Sequence, residues 1–334
     1  MKKHILNTIF GLSSITAFAQ QDQHLSQWFA SPVMINPACA GSSQETMRFY
    51  SAFRTQWFTA TSTAYRTIAA SYDIKLTPSR LNTGNFGVGL TSFNDAQGAN
   101  RLSTNAFSVP LNYAIELNRI SKLVVGIKAG MLQQSIKNSD LTWDNQWQTD
   151  GFNQSIANNE NFLPSITRFD AGAGIYFVTQ PYDTRTYFIG AAGDHLTKQS
   201  VSFSGLSSKL YRRVNVHGGA EIKIPKQKMA YTPQFYASAQ GPNYSIIVGS
   251  DFKFWLSEGS RRTINVDEIT FNMGAYYRWK DALIVNAAFN YKAVSVGASY
   301  DANVSGLRTG TKTVGAVEIF VRYKLNLVGN NYIR

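Results

Sequence analysis

Large apolar side chains recur at every second position in many stretches of this 334-residue chain. Near the C-terminus, Ile319, Val321 and Tyr323 share one face, and the same alternation occupies residues 284–291 and 86–93. A period of two places successive side chains on opposite faces of a β-strand, whereas a helix repeats every 3.6 residues. The alternation therefore predicts a chain built mainly of strands, each with one apolar face.

Segments of this kind can be marked along the whole chain, and they number about 14, an even count that suits a single-chain transmembrane barrel. The predicted strands lie near 46–58, 62–76, 84–95, 102–117, 121–135, 165–179, 185–195, 209–224, 230–240, 243–256, 268–280, 282–291, 293–302 and 314–327. Many exceed the 9–11 residues or so that cross a hydrocarbon core. Several strands are therefore expected to project beyond the membrane.

Composition separates a membrane barrel from the other classes. Charged residues make up 16% of the chain, below the roughly 25% usual for soluble domains. The mean hydropathy of −0.19 is nevertheless too low for a bundle of membrane helices. A soluble β-protein would bury its apolar face, whereas here large apolar residues oppose small or polar ones. We predict an all-β fold, a closed antiparallel transmembrane β-barrel of about 14 strands in the outer membrane.

The N-terminus has the pattern of a cleaved secretory signal peptide. Lys2 and Lys3 precede an apolar stretch that ends in small residues before Gln20. The expected organisation is a signal peptide at 1–19, an N-terminal segment at 20–45, the barrel at 46–327 and a short tail at 328–334. The single cysteine, Cys39, excludes an internal disulfide and is expected to be a sheltered free thiol.

The predicted connections differ in length. Short turns are expected at 241–243, 279–281 and 291–293, and long connections at 138–161, 196–208 and 257–267. Outer-membrane barrels place their long loops outside the cell. Trp143 and Trp147, in the first long connection, are therefore candidates for extracellular contacts with a partner.

Residues that would carry catalysis or bind a metal are sparse. His24, His195 and His217 remain after the signal peptide, and none forms a recognisable metal signature. A hydrolase that uses His195 is a weak alternative, because no GxSxG motif is present. We predict no catalytic residues, no metal and no cofactor. The formal net charge of +12 is spread along the chain, which argues against nucleic acid and favours lumen-lining residues, anionic headgroups or an acidic partner.

A series of short motifs resembles the PorP/SprF family of type IX secretion system membrane proteins. In chain order they read Gln27-Trp28-Phe29, Asn36-Pro37-Ala38-Cys39-Ala40-Gly41, Arg54-Thr55-Gln56-Trp57, Asn94-Asp95-Ala96-Gln97-Gly98, Asp194-His195-Leu196-Thr197, Tyr300-Asp301-Ala302-Asn303 and Glu318-Ile319 to Arg322-Tyr323. They span nearly the whole mature chain. Cys39 departs from the pattern at a variable position, and residues 327–334 extend past the usual last strand.

The resemblance implies a non-enzymatic outer-membrane barrel of the type IX secretion and gliding machinery. Such barrels support the export or surface anchoring of a secreted cargo such as an adhesin. The implied partners are that cargo, other type IX components and outer-membrane lipid. The motif residues that we take as candidate partner contacts are Gln27, Asn36, Pro37, Gly41, Arg54, Gln56 and Trp57.

Two alternatives stay open at this level. The N-terminal segment is either a lumenal plug or periplasmic contact, or it merely caps the barrel. Because Pro37 restricts the preceding residue to extended geometry, the segment is expected to have a fixed shape. The barrel itself could instead be a general porin or a channel for hydrophobic solutes.

Overall fold

The computed structural model describes residues 22–42, 45–76, 84–98, 102–137, 142–157, 163–197, 203, 210–257, 268–306 and 308–326. The predicted signal peptide and C-terminal tail lie outside these residues. Within them, no helix is both long enough and apolar enough to cross a membrane.

The described chain is built almost entirely of strands. They are β1 (Met47–Gln56), β2 (Tyr65–Leu76), β3 (Gly84–Gln97), β4 (Leu102–Glu116), β5 (Ser121–Ser135), β6 (Trp147–Gln148), β7 (Gly151–Phe152), β8 (Ser165–Tyr182), β9 (Arg185–Asp194), β10 (Arg213–Ile224), β11 (Met229–Gln240), β12 (Asn243–Ser257), β13 (Ile269–Arg278), β14 (Ala282–Tyr291), β15 (Val294–Asn303) and β16 (Val314–Leu325). All except β6 and β7 join one closed antiparallel barrel, in which β1 pairs with β16. The predicted 14-stranded closed barrel is confirmed.

Side chains alternate around the barrel as the period of two requires. In β1, Phe49 and Phe53 are 47% and 45% exposed on the outer surface, while Tyr50 and Arg54 point inward and are buried. A closed barrel pairs the backbone groups of every strand, so it leaves no polar edge in contact with hydrocarbon. The apolar outer face can therefore lie in lipid.

Two predicted strands begin three or more residues earlier in the sequence than in the structure. The second begins at Tyr65 and not near 62, because Trp57 adopts a left-handed φ of 53° and starts a turn. The backbone nitrogens of Ala60 and Thr61 donate to the Trp57 carbonyl at 3.0 and 3.1 Å. Similarly, β10 begins at Arg213 and not at 209.

The two ends of the barrel are distinguished by their connections. The first barrel residue, Met47, is paired with the last, Leu325, on the neighbouring strands β1 and β16. We call the end of the barrel at which they lie the terminal end. The connections from β5 to β8 and from β9 to β10 join strands at the other end, which we call the loop end. Because the longest loops of such barrels are extracellular, we assign the loop end to the exterior and the terminal end to the periplasm. The third long connection, near 257–267, joins β12 to β13 at the terminal end, so the expectation that it is an outer loop was wrong.

Residues 22–42, the described part of the N-terminal segment, run through the lumen. They form three short 3-10 turns, Trp28–Ala30, Pro32–Met34 and Pro37–Cys39. The segment begins at the loop end, where the Asp22 backbone nitrogen donates to the Gln240 side chain at 2.7 Å. It reaches the terminal end at Gly41, near the start of β1. Its aromatic residues pack on the wall, with Trp28 stacked on Tyr236.

Candidate functional site

A cluster of four buried charged residues lies inside the barrel. Arg54 contacts Asp301 at 2.9 Å and Glu318 at 3.3 Å, and Arg278 contacts Asp301 at 2.8 Å. These side chains come from β1, β13, β15 and β16, and all are at most 6% exposed. Two positive and two negative groups therefore compensate one another where water is scarce.

The N-terminal segment completes this cluster. The backbone nitrogens of Ser26 and Gln27 donate to the two carboxylate oxygens of Glu318 at 2.7 and 3.0 Å. The Ser26 hydroxyl donates to Asp301 at 2.7 Å and accepts a hydrogen bond from Arg54. Because charged acceptors form the stronger hydrogen bonds, these contacts fix the segment to the wall.

The Asn36–Gly41 stretch is held by a second set of polar contacts. Asn36 has an extended backbone with a φ of −150°, as expected before Pro37, and its side chain accepts from the Ala38 nitrogen at 3.0 Å. The Asn36 amide also donates to the Ile175 carbonyl at 2.9 Å. From β4, the Asn112 amide donates to the Ala40 carbonyl at 2.7 Å.

Glycines in the barrel wall make room for this stretch. A Cβ at Gly126 would lie 2.5 Å from the backbone nitrogen of Ala38, and one at Gly174 would lie 2.2 Å from the Asn36 side-chain oxygen. A Cβ at Gly87 would lie 2.1 Å from the carbonyl oxygen of Ala40. Glycine at these strand positions allows another backbone to approach closely.

Gly126→Ala should destabilise the protein by about 1–3 kcal/mol, because the added methyl group overlaps backbone atoms that cannot rotate away. The measurement is the guanidinium unfolding midpoint in detergent. Gly193→Ala is the matched control, since its nearest neighbour would be a flexible Leu196 methyl group at 3.4 Å. Equal midpoints for the two variants would contradict the close contact between the wall and the segment.

A third anchor lies at the terminal end. Arg48 contacts Asp73 at 2.9 Å and donates to the Cys39 carbonyl at 3.3 Å, while the Gly41 nitrogen donates to Asp73 at 2.8 Å. Gly41 has a φ of 61°, which favours glycine. Cys39 is fully buried, as expected for a sheltered thiol. Burial raises the pKa of the Cys39 thiol, so it stays protonated and unreactive.

At the loop end, His195 ties the start of the segment to the wall. Its Nδ1 lies 3.0 Å from Asp170 and its Nε2 lies 2.6 Å from Asp22. Burial lowers the pKa of His195, but the hydrogen bonds and charges of these two carboxylates outweigh it and raise the pKa to about 10. Below that pH the ring is an imidazolium held on both sides, so it is not available as a base near neutral pH.

The predicted motif residues differ in how deeply they are buried in the structure. Gln27, Asn36, Pro37 and Arg54 are buried between the segment and the wall. Gly41 is also buried, while Gln56 and Trp57 are half-buried at the loop end. The motif residues that are buried can touch a partner only if the segment moves, and that contact stays a prediction.

A family model described as "Type IX secretion system membrane protein PorP/SprF" matches residues 17–323, nearly the whole chain. The chain belongs to this family. A comparison with curated proteins gives no match. In this PorP/SprF barrel, several of the motif residues, such as Asn36, Arg54 and Glu318, therefore lie at contacts between the lumenal segment and the wall.

Solved structures are similar to this barrel at low sequence identity. The "CymD monoaromatic hydrocarbon channel" is 11% identical, with a TM-score of 0.51 over 89% of this chain and 93% of that chain. The P. putida toluene transporter TodX is 11% identical, with a TM-score of 0.48 over 88% and 93% of the two chains. The first likeness shows the fold alone, and together with the family it places the protein in the outer membrane.

Several residues of the site were missed at the sequence level. Asp73 and Arg278 received no role, while Asp301 and Glu318 were noted only as motif positions. The available signal was their place on the inward face of strands in a chain with few charges. That face predicts burial, but it does not say which charges meet across the lumen.

The predicted loop residues lie in a small folded unit at the loop end. Trp147 is 60% exposed and packs against Phe152 of the β6–β7 hairpin, with ring centroids 5.4 Å apart. Gln146 secures the hairpin, because it accepts from the Asn153 nitrogen at 2.8 Å through its carbonyl oxygen. Trp143 is half-buried beside this hairpin.

Among the described residues, the lumenal segment borders at least two cavities. One of about 330 Å³ at the loop end is bordered by Leu25, Trp28 and Met34 of the segment and by Phe93 and Leu132 of the wall. The other, of about 570 Å³, opens at the terminal end and is lined mostly by polar and basic side chains. We call the second cavity the periplasmic vestibule.

Proposed function

We propose that this protein is a non-enzymatic scaffold of the type IX secretion and gliding machinery, which anchors or helps to export a secreted partner such as an adhesin. The observation that carries the proposal is the lumen itself, which residues 22–42 of the chain occupy from one end to the other. A barrel whose lumen holds a segment anchored at buried ion pairs is suited to presenting a binding surface to a partner. It is poorly suited to the free passage of solutes.

The proposed contact surface is the aromatic hairpin at the loop end. Trp147 and Phe152 are 60% and 40% exposed and support each other. Exposed aromatic residues on an ordered support are typical anchors in protein interfaces. The secreted cargo would meet this hairpin outside the cell, while other type IX components approach from the periplasm.

The proposal can be tested by locking the segment in place. The hydroxyl oxygens of Ser31 and Ser71 lie 2.7 Å apart, so Ser31→Cys with Ser71→Cys can form a disulfide in a Cys39→Ala background. We expect the locked barrel to keep the partner on the cell surface, measured by antibody labelling of intact cells. Loss of the partner on locking, restored by reduction, would contradict a scaffold whose lumen stays closed.

Removing the aromatic hairpin contact should have the opposite effect. Trp147→Ala combined with Phe152→Ala should lower surface-bound partner by at least roughly tenfold, because the anchor residues of an interface carry most of its binding energy. Trp279→Ala is the matched control, since Trp279 is 53% exposed at the same end. Equal labelling for both variants would show that the partner binds elsewhere.

A channel for hydrophobic solutes is the second candidate. The apolar residues that form part of the loop-end cavity favour it, and the similar CymD barrel is titled a hydrocarbon channel. In a channel, solute would have to pass the segment. The locked variant should then lose uptake of a radiolabelled aromatic hydrocarbon, whereas the scaffold predicts no segment-dependent uptake at all.

A further inference from the structure

The periplasmic vestibule carries an excess of basic side chains. Its basic lining residues are Lys75, Lys122, Lys253, Arg322 and Lys324, which project from β2, β5, β12 and β16. Its acidic lining residues are Glu221 and Asp251. Both oxygens of Asp251 are engaged by the wall, including an Asn286 amide at 2.8 Å. The vestibule therefore presents positive charge to whatever enters it.

Arg322 is the deepest of these basic residues. Its guanidinium donates at 3.3 Å to two neutral oxygens, the Ala30 carbonyl and the Ser295 hydroxyl. Its Nε is buried without an acceptor, and no carboxylate of the described residues forms an ion pair with it. A buried guanidinium normally has a carboxylate or phosphate partner, because burying its charge alone is costly.

The other basic residues have partners at the rim. Lys324 contacts Glu45 at 3.1 Å, and Lys253 contacts Glu268 at 3.5 Å. The pair of Lys122 with Glu116 is about half exposed on both sides. An exposed pair such as that of Lys122 with Glu116 exchanges easily with an incoming anion, because it contributes little energy.

The turns around the vestibule add to its excess of positive charge. At the terminal end, the described residues in and beside the tight turns include the basic Arg119, Arg185, Lys226, Lys228 and Lys292, and the acidic Glu116 and Asp183. A positive rim around a positive cavity steers anionic groups towards it. A bilayer lipid can reach the outer rim, but it does not reach Arg322 inside the lumen.

We infer that the periplasmic vestibule receives an acidic peptide segment of a partner protein, with Arg322 as its buried anchor. The inference rests on the proposed function, because it supplies the periplasmic contact that a secretion scaffold needs. A cavity of about 570 Å³ is in the range of pockets that bury a ligand. In this inference, one carboxylate of the segment would pair with the Arg322 guanidinium, and flanking carboxylates would meet the lysines of the rim.

The test uses the full-length barrel in zwitterionic nanodiscs and a fluorescent hexaglutamate peptide, with binding followed by anisotropy. We expect the wild type to bind hexaglutamate, to ignore hexaglutamine, and to lose affinity as salt rises. Arg322→Gln should weaken hexaglutamate binding by roughly tenfold. Arg168→Gln, which removes the same charge at the loop end, should leave it unchanged.

Lys253→Gln is the second variant, because Lys253 lies at the rim, where it contacts Glu268 and the ring of Trp255. This variant should also weaken the binding of hexaglutamate, and it can be measured even if Arg322→Gln fails to fold. Equal hexaglutamate binding by wild type and both variants would overturn the inference, as would complete displacement of the peptide by anionic phospholipid in the nanodisc. Surface retention of the cargo is measured separately, so either proposal can fail alone.

Discussion

Arg54→Met is expected to destabilise the protein by about 3–5 kcal/mol, which is the usual cost of removing one partner from a buried ion pair. The substitution leaves Asp301 and Glu318 with Arg278 as the one remaining positive group of the four-residue cluster. It also removes a donor to Ser26, so the lumenal segment loses part of its anchor. The change is measured as the loss in unfolding free energy in guanidinium, followed by tryptophan fluorescence.

Two comparisons make this result specific to the buried cluster. Lys122→Met breaks an exposed ion pair with Glu116 and should cost about 0–1 kcal/mol. Arg54→Met combined with Glu318→Gln restores the charge balance and should recover part of the loss, since uncompensated charge is the main penalty. If Arg54→Met costs no more than Lys122→Met, the cluster does not stabilise the barrel.

The barrel wall could be predicted from sequence because its physics is local. Apolar residues at every second position indicate which side of a strand faces lipid. Glycine, asparagine or proline residues indicate where the chain turns between strands. The predicted 282–291 strand has the bounds of β14, for example. Errors occur where the backbone conformation of a single residue determines where a strand begins. The positive φ of Trp57, for example, delays the start of β2.

The lumenal contacts could not be predicted in the same way. Residues 22–42 have no period of two, so nothing in their pattern says on which side of the wall they lie. Gly126 and Ala38 meet although 88 positions separate them in sequence, and this meeting depends on the closed geometry of the barrel. Gly87 and Gly174 are visible in the sequence, but nothing around them indicates which part of the chain packs on them.

Deleting residues 22–41 should turn a closed barrel into an open pore. The wall keeps its own hydrogen bonds without the segment, since each strand pairs with two neighbours. What remains inside is a polar lumen in which Arg48, Asp73 and the Arg54 cluster become accessible to water. In planar bilayers, we expect stepwise ion currents from the deletion variant and none from the intact protein.

The control keeps the length and composition of the segment but scrambles its order, which removes the Ser26, Asn36 and Gly41 contacts. We expect it to conduct like the deletion variant, because contacts with the wall, and not mere bulk, hold the segment in the lumen. Cells that carry either variant should also become sensitive to large antibiotics that the outer membrane excludes. Robust currents from the intact protein would favour a porin, because a lumen sealed by residues 22–42 cannot pass ions freely.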